Sequence, residues 1–126
     1  MGIIGYRLHR ALDFATVLGF LAAPTLLGLP QRGAIASYAL AAAHTLVTLV
    51  TTPPGGRGRV LPYIFHGWIE LGVSLVLPAL GLASGLFPDA TSRYFLAGSG
   101  GVIFLVWLLS DYRTAAEGAS ASAVRS

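Results

Sequence analysis

The fold turns on His66-Gly67-Trp68-Ile69-Glu70-Leu71-Gly72-Val73-Ser74-Leu75-Val76-Leu77-Pro78-Ala79-Leu80-Gly81-Leu82, a stretch whose ionisable groups all fall in its first five positions. It lies inside an apolar run over residues 62–86. A helix rises 1.5 Å per residue, so crossing about 30 Å of hydrocarbon takes about 20 mostly apolar residues. The run is therefore long enough to span a bilayer. Three further runs of similar character cover residues 8–29, 34–52 and 94–110, the first of them interrupted by Arg10 and Asp13.

Between the runs lie Pro30-Gln31-Arg32-Gly33, then Pro53-Pro54-Gly55-Gly56-Arg57-Gly58-Arg59, then Phe87-Pro88-Asp89-Ala90-Thr91-Ser92, all rich in helix breakers. Such short connections force neighbouring helices to run antiparallel. The expected architecture is an all-α membrane fold, a four-transmembrane-helix up-down bundle over residues 1–112. From residue 113 onward the chain turns to Ala, Ser, Glu and Gly without an apolar period, so residues 113–126 read as a flexible tail. A signal peptide is the alternative for the first run, with Arg7 and Arg10 at its start and Ala34-Ile35-Ala36 as a cleavage site. Asp13 at the entry to the apolar region and Arg32 just before that site argue against it.

Composition points the same way. The 126 residues make one domain by size, with 55 % hydrophobic and only 10 % charged residues, where soluble domains carry about 25 % charge. That balance excludes a soluble enzyme, a nucleic-acid-binding module and a disordered chain. The net charge of +3 comes from eight arginines spaced singly, so nucleic acid is not the expected partner and the lipid bilayer is. Cysteine is absent, which removes disulfides, thiolate nucleophiles and Cys-ligated metals. There is no Gly-x-Ser-x-Gly elbow, phosphate-binding loop with lysine, or His-Glu-x-x-His helix. Arg7, Arg10, Arg57, Arg59, Arg113 and Arg125 fall on one side of the bundle and only Arg32 and Arg93 on the other, so both termini are expected in the cytoplasm. Lysine-free, Ala/Gly/Arg-rich usage associates the chain with a GC-rich bacterial genome, hence a bacterial plasma membrane.

The two halves echo each other. His9-x-x-x-Asp13 opens the first run, which continues through Leu18-Gly19 to Pro24-Thr25-Leu26-Leu27-Gly28-Leu29. His66-x-x-x-Glu70 opens the third, which continues through Leu71-Gly72 to Pro78-Ala79-Leu80-Gly81-Leu82. Each half holds two helices, so the repeat is parallel about an axis along the membrane normal. This doubled pattern of His-x-x-x-acid, Gly, then Pro followed by Gly, around a Thr-Pro-rich loop, resembles bacterial SPW-repeat membrane proteins over about residues 8 to 112. The Ser-Pro-Trp signature of that family reads Ala23-Pro24-Thr25 and Leu77-Pro78-Ala79 here. The resemblance implies a fold more than an activity.

Ionisable groups in a bilayer are costly and face the bundle interior, so they are the first functional candidates. His9 and Asp13 share a helix face, as do His66 and Glu70, being four residues apart. Ser37, Ala41, His44, Thr48 and Thr51 recur at helical spacing as a narrow polar stripe expected to face inward. Counted from the run ends at 1.5 Å per residue, Asp13 lies about 8 Å deep and His44 and Glu70 about 12 Å, so a shared cluster is geometrically open. Local pairing within each half, with His44 donating across helices, is the structural alternative. Pro24 and Pro78 are expected to kink the first and third helices. Gly98, Ser99, Gly100 and Gly101 are expected to let helices approach closely, and Trp68, Trp107, Tyr6, Tyr63 and Tyr112 to anchor the bundle at the interface.

Two functions fit. The first is a non-catalytic accessory subunit packed beside larger membrane proteins, or a homo-oligomer, with no cofactor and the buried groups fixing helix register. The second is a ligand-binding or proton-relay bundle built on the acid and histidine cluster. Asp13, His44 and Glu70 would then ligate a first-row metal, or His44 and His66 would bind haem iron axially.

Overall fold

The computed structural model describes residues 2–56 and 58–112, and the tail expected over residues 113–126 lies outside them. The elements are α1 (Tyr6–Leu26), α2 (Gln31–Val50), β1 (Thr51–Thr52), β2 (Leu61–Pro62), α3 (Tyr63–Ala83) and α4 (Ala90–Leu109). Three helices, α2, α3 and α4, are long and apolar enough to cross a membrane. This corrects the expectation of four spans. With 21 residues α1 is as long as the others, but Arg7, Arg10 and Asp13 in its first half dilute its apolar character.

Both even-numbered helices begin earlier than the apolar runs suggest. Gln31, Arg32 and Gly33 form the first turn of α2 rather than a loop, with the Pro30 carbonyl accepting from the Ala34 N–H at 2.8 Å. Proline's fixed φ suits a helix start, so Pro30 opens this helix instead of breaking one. Asp89 caps α4, its carboxylate accepting from the Ser92 N–H at 2.8 Å.

The helices pair within halves, α1 against α2 and α3 against α4, and the halves are joined crosswise at one end. There β1 and β2 pair in parallel, Thr51 with Leu61 and Thr52 with Pro62, tying the end of α2 to the start of α3. On the opposite flank Ile4 bridges Ser110 in the same parallel sense, tying the start of α1 to the end of α4. Two equivalent seams thus hold the four helix ends around one axis.

At the α3–α4 contact Pro78 has no N–H to offer the Ser74 carbonyl one turn back. Gly100 packs against that point, where a Cβ would come within 2.8 Å of the Ser74 oxygen and 2.5 Å of the Pro78 ring. Gly98 and Gly101 face open space, so of this glycine group Gly100 alone carries the close approach within the chain. Pro24 lies inside α1 near its end.

The molecule is polar inside and apolar outside. Val17, Phe20, Ala41, Leu77, Leu96 and Ile103 form the apolar core, but His9, Asp13, Ser37, Thr48, His66 and Glu70 are equally buried. Leu18, Leu46, Leu75 and Leu105, by contrast, are more than half exposed. Exposed apolar patches on this scale need a non-aqueous surrounding, which suits a membrane protein.

Candidate metal centre

A shift of 57 residues maps Tyr6, His9 and Asp13 onto Tyr63, His66 and Glu70, and a shift of 59 maps Thr51 onto Ser110. The crosswise seams bring these pairs together. His9 and Asp13 project from α1, His66 and Glu70 from α3, and one ligating atom of each lies within 4.8 Å of the other three. All four side chains are buried.

The hydroxyls fix how the imidazoles are protonated at Nδ1. Ser110 Oγ donates to the Val106 carbonyl at 2.6 Å, and Thr51 Oγ1 donates to the Val47 carbonyl at 2.5 Å. Each hydroxyl has one proton, and it is committed to the helix. The 2.7 Å contacts of Ser110 with His9 and of Thr51 with His66 therefore run from the imidazole Nδ1–H to the hydroxyl oxygen.

This leaves both Nε2 atoms on the acid side. His9 Nε2 stands 3.3 Å from Asp13 Oδ1 and 3.2 Å from Glu70 Oε2, and His66 Nε2 stands 3.4 Å from both Asp13 Oδ2 and Glu70 Oε1. Neither nitrogen is aligned with a carboxylate oxygen as a hydrogen bond, although both are fully buried. Each imidazole thus lies between the two carboxylates, its Nε2 unmatched by a hydrogen bond.

The carboxylates have outer partners too. His44 on α2 donates from Nε2 to Asp13 Oδ1 at 3.3 Å, and Tyr112, just past α4, donates its hydroxyl to Glu70 Oε2 at 2.6 Å. Every member of the quartet is therefore held by a distinct neighbour. Such outer contacts orient metal ligands and fix their tautomers. Burial first, and then the Glu70 carboxylate, push the Tyr112 hydroxyl well above the usual phenol range, so it stays a donor. Gly67 makes room for that ring, since a Cβ there would lie 2.8 Å from it.

Of the residues singled out from sequence, His9, Asp13, His66 and Glu70 come together, and His44 stands outside them as a support for Asp13. Thr48 lines the wall shared by Asp13 and His66, and its hydroxyl has no hydrogen-bond partner among the described residues. The ring centroids of His44 and His66 are 6.3 Å apart, but the Asp13 carboxylate lies against both Nε2 atoms, where a haem iron would have to stand. Tyr63 and Tyr112 are not outward anchors either; they pack on each other at 4.7 Å and on His9 at 5.4 and 5.6 Å, closing the quartet toward the loops. Sequence reasoning missed this inward role, which the repeat of tyrosine three residues before each histidine signals for Tyr63 and nothing in the sequence signals for Tyr112.

Comparison with family models, with curated proteins and with solved structures finds no match. The functional reading therefore rests on the site's own geometry.

Proposed function

We propose that the chain is a membrane-embedded helical bundle that holds a divalent first-row transition metal at His9, Asp13, His66 and Glu70. The observation that carries this reading is the pair of buried Nε2 atoms, each unmatched by a hydrogen bond, between two carboxylates. Two imidazoles and two carboxylates suit zinc, iron, copper or nickel, and a dication with two neutral imidazoles and two carboxylates is uncharged as a unit. An uncharged unit is what an apolar surrounding tolerates. In this reading α1 packs as the fourth member of the bundle, its His9–Asp13 face shielded by α3. The end bearing the quartet faces the cytoplasm of a bacterium, supported by the six-to-two distribution of arginines. Kinship with SPW-repeat proteins belongs to the same proposal, supported by the doubled histidine–acid motif.

Titration of protein purified in mild detergent with cobalt(II) tests it. One ion per chain and the visible absorption of a nitrogen- and oxygen-ligated site are expected, both lost in the double variant His9→Ala with His66→Ala. Wild-type protein that takes up neither cobalt nor zinc would overturn the reading. An accessory subunit is the second reading, favoured by exposed Gly98 and Gly101, which offer small-residue contact to another membrane helix. Co-purification of a metal-free chain with a larger complex would support it.

A further inference from the structure

A cavity of about 60 Å³ lies beside the quartet, walled by Phe20, Leu40, Val47 and Ile103, and among the described residues its polar lining comes from His44 and Glu70. Two exposed residues, Ala43 on α2 and Ile69 on α3, also line it, so it opens sideways through the loosely packed α2–α3 seam. Its mouth therefore faces the hydrocarbon rather than the loops. One wall is a ligand of the proposed metal, and the orienting partner of the other carboxylate stands next to it.

Size and polarity limit the occupant. A cavity of about 150 Å³ takes a benzene ring and a single water needs about 10–15 Å³, so this one admits a molecule of a few heavy atoms and no aromatic ring. Apart from His44 and Glu70 the lining offers no group to compensate a charge, and an ion crossing the apolar mouth would lose its hydration. A neutral apolar diatomic, in contrast, concentrates in the bilayer and loses little on entry. We infer that this cavity delivers a neutral diatomic molecule of the dioxygen class from the bilayer to the metal on its Glu70 side. The inference rests on the metal reading above and adds an exogenous ligand to it.

Nitric oxide, a neutral diatomic, is the probe. Protein loaded anaerobically with iron(II) in nanodiscs should form an iron–nitrosyl, seen by its half-integer-spin EPR signal and visible absorption. Ala43→Phe places a ring at the mouth from an exposed position and should abolish the nitrosyl signal while leaving the iron content unchanged. Ala42→Phe, on the neighbouring exposed position that does not line the cavity, should behave like wild type. Azide, being charged, should leave the iron(II) spectrum unchanged. Iron bound without a nitrosyl in wild type overturns the inference and leaves the metal site standing. Equal nitrosyl formation in wild type and Ala43→Phe, or a ready azide adduct, also overturns it. Failure to bind iron at all removes both readings, and the iron assay distinguishes that result from the others.

Discussion

His9 and His66 meet edge to face, ring centroids 5.3 Å apart and planes at 76°, and each does from its own half what the other does. Each gives its Nδ1 proton to a hydroxyl at the end of the opposite half's seam and turns Nε2 toward the same two carboxylates. The inner four groups are thus nearly symmetric, whereas the outer partners are not. Asp13 takes a hydrogen bond from an imidazole and Glu70 from a phenol. The symmetric part sets the charge and shape of the site, and the asymmetric part distinguishes its two carboxylates.

Because Thr51 and Ser110 serve equivalent histidines, their loss should have equivalent effects. Thr51→Val and Ser110→Ala each leave a buried Nδ1–H without its acceptor and free the ring to rotate. Loss of such an outer partner weakens metal binding roughly 10- to 100-fold. Competition against a chromophoric chelator should show that drop in both variants. Wild-type affinity in both would detach the hydroxyls from the site.

Gly100 should be the intolerant glycine of α4. An added methyl collides with the Pro78 ring and the Ser74 carbonyl, neither of which is a flexible side-chain end. Overpacking of this kind costs about 1–3 kcal/mol. Unfolding in detergent should show Gly100→Ala destabilised, with Gly98→Ala and Gly101→Ala close to wild type. The reverse ranking would contradict the α3–α4 contact.

Three of the four expected spans and the inward polar stripe were legible because hydropathy and helical spacing act locally, whereas Arg7, Arg10 and Asp13 take the first run out of that class. Helix starts were not, since Pro30 and Asp89 look like breakers until the turn they open is seen. His9, His66 and His44 were all expected in one cluster with Asp13 and Glu70, and depth arithmetic could not sort inner from outer members because it fixes a residue's height and not its direction around the helix axis. The seams left no mark of their own: a two-residue strand such as Thr51–Thr52 has no period, and which helix end it meets depends on how the halves dock. Tyr112 lies beyond the last apolar run, where sequence offered only an interface role.

Asp89 gives the chain a measurable pH dependence away from the buried site. The backbone N–H of Ser92, followed by its side chain, holds the Asp89 carboxyl below its ordinary value of 3.8. A lowered folded-state value means the cap's contribution is complete above 3.8 and fades as pH falls through that value and then through the lower folded one. Asp89→Ala should therefore melt below wild type near neutral pH, and the two curves should draw together as the pH falls below the lowered folded-state value. A gap that persists unchanged in acid would refute the ionised cap.

Topology can be tested independently of any ligand. Single cysteines at positions 31 and 89 should be labelled from the side opposite a cysteine at position 55, because α2, α3 and α4 each reverse the chain. If α1 lies alongside the spans with its start at the quartet end, a cysteine at position 3 should label with position 55. Labelling of 31 and 55 from the same side would end the bundle model.

The decisive measurement is the coupling between Asp13 and Glu70, which come from different halves and bring ligating oxygens within 4.8 Å of each other and of the two histidines. Asp13→Asn leaves His44 and both Nε2 atoms facing an amide, and Glu70→Gln does the same to Tyr112 and the same two nitrogens. Each single change should lower stability and metal affinity, since it strips compensation from groups buried with it. Once one carboxylate is gone the shared centre is already broken, so the second change should cost less than it does alone. Members of one network deviate from additivity by about 0.5–3 kcal/mol, whereas independent sites add within about 0.3–0.5 kcal/mol. If each histidine merely paired with the acid one turn along its own helix, coupling would run from His9 to Asp13 and from His66 to Glu70 and vanish between halves. The observed 3.2 Å from His9 to Glu70 and 3.4 Å from His66 to Asp13 predict the opposite. A double-mutant cycle by thermal unfolding in detergent, run with and without zinc, should show the cross-half term in both conditions and enlarge it with metal. Strict additivity of Asp13→Asn and Glu70→Gln in both would leave two separate ion pairs and no centre.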